Sequence, residues 1–366
     1  MAPPGNQAEN RENKPQPKTM GASSLLEKFI GLDAHSKTCF FVVMSKTGRI
    51  TKRKRVMTNE GEILEFVRSV KGQKELGFEE GVLSHWLFIL LKDEVDELVV
   101  CQPSEHDGPK NDERDAGEIA DLLRVGRLKP VFHADNELMN LRTLVSGHED
   151  LVGVINSEKN RLKALFRQVA LPTKGSKFYK SPELVWDLPT DTQKYVACTF
   201  FEQLNLLEEQ RRGYHERFES NAKRFKEIKL LMSIPGIGPV RANQIVAIIV
   251  TPHRFANKYH LFSYAKLTKH ARESDGRQYG KKPARGQPLL KKVFKSAVLG
   301  AMKSNTSFRR KYEAKRAAGA SDRTARHEVS KLIAATVLAV WKTGKKYNDK
   351  HREVTRRRHQ KCHSGT

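Results

Sequence analysis

Cysteine is scarce in this chain and poorly placed for structural chemistry. Cys39, Cys101, Cys198 and Cys362 stand far apart, and no C-x-x-C or H-E-x-x-H spacing occurs. Neither a structural zinc nor a disulfide framework is therefore indicated, which fits a reducing cytosol. Long apolar runs are also missing. None approaches the ~18 residues of a membrane-spanning helix, and no basic amphipathic anchor stands out. No G-x-x-x-x-G-K-[ST] loop is present, so the sequence does not point to a Walker-type nucleotide site. The first 24 residues lack the apolar core of a signal peptide, and their Pro, Asn, Gln and Lys content reads as a disordered tail.

Acidic charge is in deficit. Against 42 Asp and Glu stand 67 Lys and Arg, a net charge of +25 over 366 residues. The excess is concentrated. Residues 251–310 hold 15 Lys/Arg against Glu273 and Asp275, and residues 342–366 hold nine against Asp349 and Glu353. Such stretches are the electrostatic footprint of a nucleic-acid binder, and the length allows two or more domains.

Residues 27–135 alternate strand-like and helix-like runs. Strands are expected near 28–33, 38–45, 49–56, 74–79 and 97–101, and helices near 60–70, 82–92 and 112–124. This is an α/β domain with a mixed sheet. Residues 137–171 read as one helix in which Leu138, Leu141, Val145, His148, Val152, Ile155, Lys159, Leu162, Phe166 and Val169 keep a heptad a/d spacing. Pro172 breaks it, and a second long helix is expected over 193–229. The two form either an antiparallel hairpin or an oligomerisation arm. Residues 230–345 read as all-helical, and the basic tail beyond 344 as disordered until it meets a partner.

The few acids include the most informative residues. Asp33 ends the run Phe29–Leu32, Glu80 closes a second apolar run, and Asp112 and Asp115 share one face at the start of a helical pattern. Carboxylates at strand ends and a helix start can converge, and a converged cluster of like charges ordinarily holds divalent cations. Two Mg²⁺ ions there would suit phosphodiester chemistry. Each acid alone has a plainer reading. Asp112 is also placed to cap its helix, and Glu79 competes for the role of Glu80. Ser274 lies in an expected loop beside Lys269, Arg272, Arg277, Lys281, Lys282 and Arg285, candidate phosphate-contacting cations. A serine hydroxyl can attack phosphorus where cations stabilise the charge that develops. Ser233-Ile234-Pro235-Gly236-Ile237-Gly238 reads as a helix-hairpin-helix turn, with Gly236 and Gly238 placed for phosphate contact.

These motifs, in this order, resemble a known family. Gly31-Leu32-Asp33-Ala34-His35-Ser36-Lys37 is similar to its opening G-[IL]-D-x-[SAH]-x-K. Glu80 with Trp86 is similar to its acidic strand end and aromatic helix, and Lys110-Asn111-Asp112-Glu113-Arg114-Asp115-Ala116 to its K-[ST]-D-x-x-D-A. Ser233–Gly238 and Tyr264–Leu267 followed by Glu273-Ser274 complete the set. The chain resembles the DEDD-type insertion-sequence transposases, or bridge recombinases, from about residue 28 to 345. It departs from them at Asp275, which intervenes before Gly276, at Lys282–Gln287, and at Glu79-Glu80-Gly81.

The resemblance implies a RuvC-like ribonuclease-H-fold domain at 25–135 and a C-terminal transposase domain at 230–345; composition and periodicity add a disordered tail at 1–24, a coiled-coil spacer at 136–229 and a basic tail at 346–366. It implies Mg²⁺ on Asp33, Glu80, Asp112 and Asp115, and a covalent 5′-phosphoserine formed by Ser274. It further implies donor and target DNA, a noncoding bridge RNA, dimers assembling into a tetramer, and a bacterial cytosolic, nucleoid-associated location. The rival reading is a RuvC-like junction endonuclease that uses water.

Overall fold

The computed structural model describes residues 27–103, 111–135, 137–274, 277–284 and 286–349; for His270, Arg272–Ser274, Lys281 and Pro283 it describes the backbone. The expected tail at 1–24, Lys110, Arg285 and the basic segment from 350 lie outside the described residues. The chain divides into two compact units, Met1–Asp135 and Asn136–Thr366.

The first unit is mixed α/β. Strands β1 (Lys28–Ala34), β2 (Thr38–Ser45), β3 (Ile50–Met57), β4 (Lys74–Glu79) and β5 (Glu97–Cys101) form one sheet in the order β3-β2-β1-β4-β5. β2 runs antiparallel to both its neighbours, while β4 and β5 run parallel to β1. This is consistent with a ribonuclease-H-like sheet. Side chains alternate between faces along each strand. Ile30 and Leu32 of β1, with Leu76 and Phe78 of β4, enter the core under α1 (Glu60–Ser69) and α2 (Ser84–Leu91). Phe29 faces the other way, toward α3 (Asp112–Arg124). The edge strand β3 carries Lys52, Arg53, Lys54 and Arg55, all exposed, which blunts pairing with another chain.

Gly31 explains how closely α3 sits. A Cβ there would stand 1.9 Å from the Ala116 carbonyl oxygen and 2.6 Å from the Ala120 nitrogen. Only a glycine under two alanines allows this approach, and it carries the N-terminus of α3 over the end of β1.

The second unit is mostly helical. Helices α4 (Glu137–Arg167) and α5 (Asp191–Arg224) run antiparallel, with Glu137 beside Arg224 and Lys159 beside Glu208. The heptad reading holds. Leu141, Val145, His148, Ile155, Leu162 and Phe166 are buried, and the polar Lys159 on the seam pairs with Glu208 at 2.8 Å. Each fully buried apolar side chain contributes about 1.5–3 kcal/mol, an exposed pair such as Arg224–Glu137 roughly 0–1. Packing therefore holds the hairpin.

Below it, α6 (Lys226–Leu231), α7 (Pro239–Ile249), α8 (Lys258–Tyr264), α9 (Pro288–Ala301), α10 (Ser307–Ala317) and α11 (Asp322–Thr343) share one core with Leu141, Val145, Phe218 and Ala222 of the long helices.

Three expectations are corrected here. The second long helix stops at Arg224, because Phe225 turns to an extended conformation and packs against the core before α6 starts. The segment 230–345 is not all-helical, since β6 (Lys269–Ser274) and β7 (Arg277–Pro283) pair as an antiparallel hairpin. Ser274 consequently ends a strand instead of lying in a loop, and Asp275-Gly276, a dipeptide favoured between hairpin strands, separates it from its partner Arg277. Finally, residues 345–349 are held in place. The Tyr347 N–H donates to Ser233 Oγ at 2.9 Å, its ring stacks on Phe308, and Asp349 accepts from Arg310 at 2.8 Å and from the Ser307 N–H at 2.9 Å. Together these bonds offset the repulsion that the basic composition suggests.

Candidate metal centre and serine hairpin

Asp33 lies near the C-terminal end of the central strand β1, on the face covered by α3. Asn111 caps that helix, its side chain accepting from the Glu113 N–H at 3.0 Å. Asp112 is thus not spent as the cap. With Asp115 one turn on, it points back toward Asp33. Burial first, then the charges of Asp112 and Asp115, push the Asp33 carboxyl above the usual range, against the pull of His35.

His35 is a functional candidate that the acidic motifs alone do not single out. Its Nε2 stands 3.1 Å from Asp33 Oδ2 and 3.6 Å from Asp112 Oδ1. One potential ligand atom from each of Asp33, His35 and Asp112 lies within 4.8 Å of the others. The signal is present in D-x-H: residues two apart near a strand end share a face. Arg55 on β3 pairs with Asp112 Oδ2 at 2.7 Å, and Arg53 with Glu113 at 2.6 Å. Cations and an imidazole thus offset some of the negative charge on the cluster. Partly buried carboxylate oxygens brought this close to one another fit a hard divalent cation.

The strand register bears on the fourth carboxylate. Gly31 pairs with Gly77 and Leu32 with Phe78, so the next position opposite Asp33 is Glu79. Gly77 faces Ile119 and Leu123 of α3, and Glu79, two residues on, shares that face. Glu80 follows the strand. Its N–H donates to the Cys101 carbonyl at 2.8 Å, and its carboxylate stands 3.9 Å from His133. The structure brings Asp33, Asp112 and Asp115 together, and the side-chain contact it gives Glu80 is His133.

In the second unit, Ser274 and Arg277 pair across the end of the β6–β7 hairpin, and Lys269, Arg277 and Lys282 are exposed along it. The side chains of Ser274, Arg272 and Lys281 lie outside the described residues. At the helix-hairpin-helix turn the two glycines differ. Gly236, at φ +85°, packs on α9, where a Cβ would meet the Ala297 carbonyl oxygen at 2.3 Å. Gly238 has open space and caps α7 without any side-chain bond. Arg241 then donates to Ser296 Oγ at 3.0 Å and to the Gly236 carbonyl at 3.2 Å. Beside it, Glu149 accepts from Gln244 and Lys292, each at 2.6 Å; the His148 imidazole and Lys292 hold its carboxyl down at about 2.

Among the described residues no helix is long and apolar enough to cross a membrane. A family model described as Transposase, of the DEDD IS110 type, matches residues 30–171, and one described as Transposase IS116/IS110/IS902 family matches residues 228–313. No curated protein matches the chain.

Proposed function

Since the two matched segments take in more than half of its length, this chain belongs to the IS110 family of transposases, and from that premise we propose a serine recombinase that a noncoding RNA guides to donor and target DNA. The observation that carries this reading is the convergence of Asp33 with Asp112 and Asp115 in the first matched segment, while the second continues through Ser274.

Asp33, Asp112 and Asp115 would hold Mg²⁺, with Glu79 as the fourth carboxylate in preference to Glu80 on the strand register. Bound there, Mg²⁺ would polarise a phosphodiester and stabilise charge on its oxygens. The chain's own residues do the rest. Ser274 Oγ forms a bond to phosphorus as the bond to the 3′ oxygen breaks. The serine loses its proton, and the 3′ oxygen leaves as a hydroxyl. Arg272, Arg277 and Lys281, close in sequence on the hairpin, neutralise charge as it develops. The phosphoserine ester conserves the bond energy for rejoining, so no nucleotide is hydrolysed. Sequence choice rests on base pairing with the RNA, as in other guided systems. Assembly as a tetramer would let acids of one copy serve the serine of another, in a nucleoid-associated cytosolic complex.

The test is covalent capture. Wild-type protein and Ser274→Ala are incubated with the element's ends, the flanking noncoding RNA and Mg²⁺, and DNA attached to protein is measured. An adduct that requires Ser274 supports the recombinase. Cleavage that persists in Ser274→Ala with no adduct would replace it with a water-using, RuvC-like junction nuclease.

A further inference from the structure

A cleft of about 640 Å³ lies between the root of the serine hairpin and helices α9 and α11. Six cationic side chains line it: Lys266, Lys269, Lys291, Lys295, Arg323 and Lys331. Among the described residues no carboxylate lines it. Glu328, on the same helix, pairs with Lys331 at 3.1 Å, and Asp322 is engaged by Tyr312 and Arg326 at 2.7 and 2.9 Å. Among the described residues the other five cations have no acidic partner.

Two of them stand where local stability opposes them. Lys266 has φ +52° at the C-terminal end of α8, a left-handed position that favours glycine. Arg323 sits in the first turn of α11, where the helix dipole disfavours positive charge. Like charges that line one cleft repel one another. Burial, then Lys331 and Lys295 against the pull of Glu328, also holds the His327 imidazole below its ordinary value. A row of cations retained against such costs fits a polyanion rather than a single phosphate.

The place of the cleft selects the polyanion. Lys269 opens β6, five residues before Ser274. At about 3.3 Å per residue this spans roughly 17 Å, or about five base pairs of duplex. We propose that the cleft is the track for the backbone of the DNA being cut, holding phosphates about five base pairs from the scissile one. This rests on the assignment of Ser274 made above.

The experiment uses the full chain and a Lys291→Gln, Lys295→Gln, Arg323→Gln triple variant. Binding to the element-end duplex and, separately, to the noncoding RNA is measured between about 50 and 200 mM salt. Because the variant neutralises three phosphates fewer, the slope of log K against log salt should fall in magnitude by about 2.7 for the duplex and stay unchanged for the RNA. A single neutral methylphosphonate about five base pairs from the cut should weaken wild-type binding and leave the variant unaffected. An unchanged duplex slope, or a change confined to the RNA, would overturn the proposal. Should the triple variant unfold, Lys295→Gln alone, at an exposed position, must lower the slope by about 0.9. The two assignments fail separately. No adduct in the wild-type protein, or one that persists in Ser274→Ala, with an intact slope change rejects Ser274, and a Ser274-dependent adduct without the slope change rejects the track.

Discussion

Gly31→Ala is the sharpest test of how the acidic cluster is assembled. The new methyl group would lie 1.9 Å from the Ala116 carbonyl oxygen, where ordinary contact begins at 3.4 Å. The neighbour is helix backbone, so α3 must retreat by about 1.5 Å instead of a side chain turning aside. Overpacking of this kind costs about 1–3 kcal/mol, and a backbone clash belongs at the upper end. For a unit of this size 1 kcal/mol moves the midpoint by about 4–8 °C. The first unit should therefore unfold at least about 10 °C earlier in a thermal scan of the full chain. The same retreat carries Asp112 and Asp115 away from Asp33. Mg²⁺ affinity measured by calorimetry should fall by tenfold or more, since ~1.4 kcal/mol is a factor of ten. Gly81→Ala is the control, because a Cβ there meets nothing within 4 Å. If Gly31→Ala melts and binds Mg²⁺ as wild type does, the close approach of α3 is not what builds the site.

Three further outcomes are expected. Glu79→Gln should weaken Mg²⁺ binding while Glu80→Gln leaves it near wild type, because the register puts Glu79 on the face of Asp33; the reverse order in calorimetry would reinstate Glu80. Glu149 is held at about 2, below its ordinary 4.5, so the folded unit binds fewer protons than the unfolded chain in that interval. Its stabilisation is complete above pH ~4.5 and is lost as pH falls toward ~2. Glu149→Gln should therefore flatten the denaturation midpoint against pH there, and an unchanged profile would count against the Lys292–Glu149–Gln244 network. Truncation after 349 should leave the melting of the second unit intact. Truncation after 344 should lower it, because it removes Tyr347 and Asp349; equal melting of both would show that these two side chains carry no weight.

Much of the architecture is legible in the sequence because it follows local periodicity. All five strands of the sheet and the 112–124 helix fall where alternation and the 3.6-residue repeat put them, and the a/d spacing of 137–167 is the buried seam of α4. The serine hairpin is not legible, because its strands, Lys-His-Ala-Arg-Glu-Ser and Arg-Gln-Tyr-Gly-Lys-Lys-Pro, have no apolar alternation. Only the Asp275-Gly276 pair signals it. The break at Phe225 likewise leaves no mark in a sequence that stays helix-compatible.

By itself the sequence determined the basic character of the chain, the order of its elements, and the ordered acidic and serine motifs that tie it to a family, since these depend on composition and on neighbours along the chain. What only the tertiary structure decided depends on register and approach. Glu79 shares the face of Asp33 because β4 pairs with β1 in one alignment, and Asp112 reaches Asp33 because Gly31 lets α3 lie against the sheet. Lys266, the Lys291–Lys295 pair and Arg323, far apart from one another in sequence, line one cleft because α9 and α11 pack together at the root of the hairpin. Strand pairing and helix packing join residues that no spacing rule relates, and there the candidate sites are made.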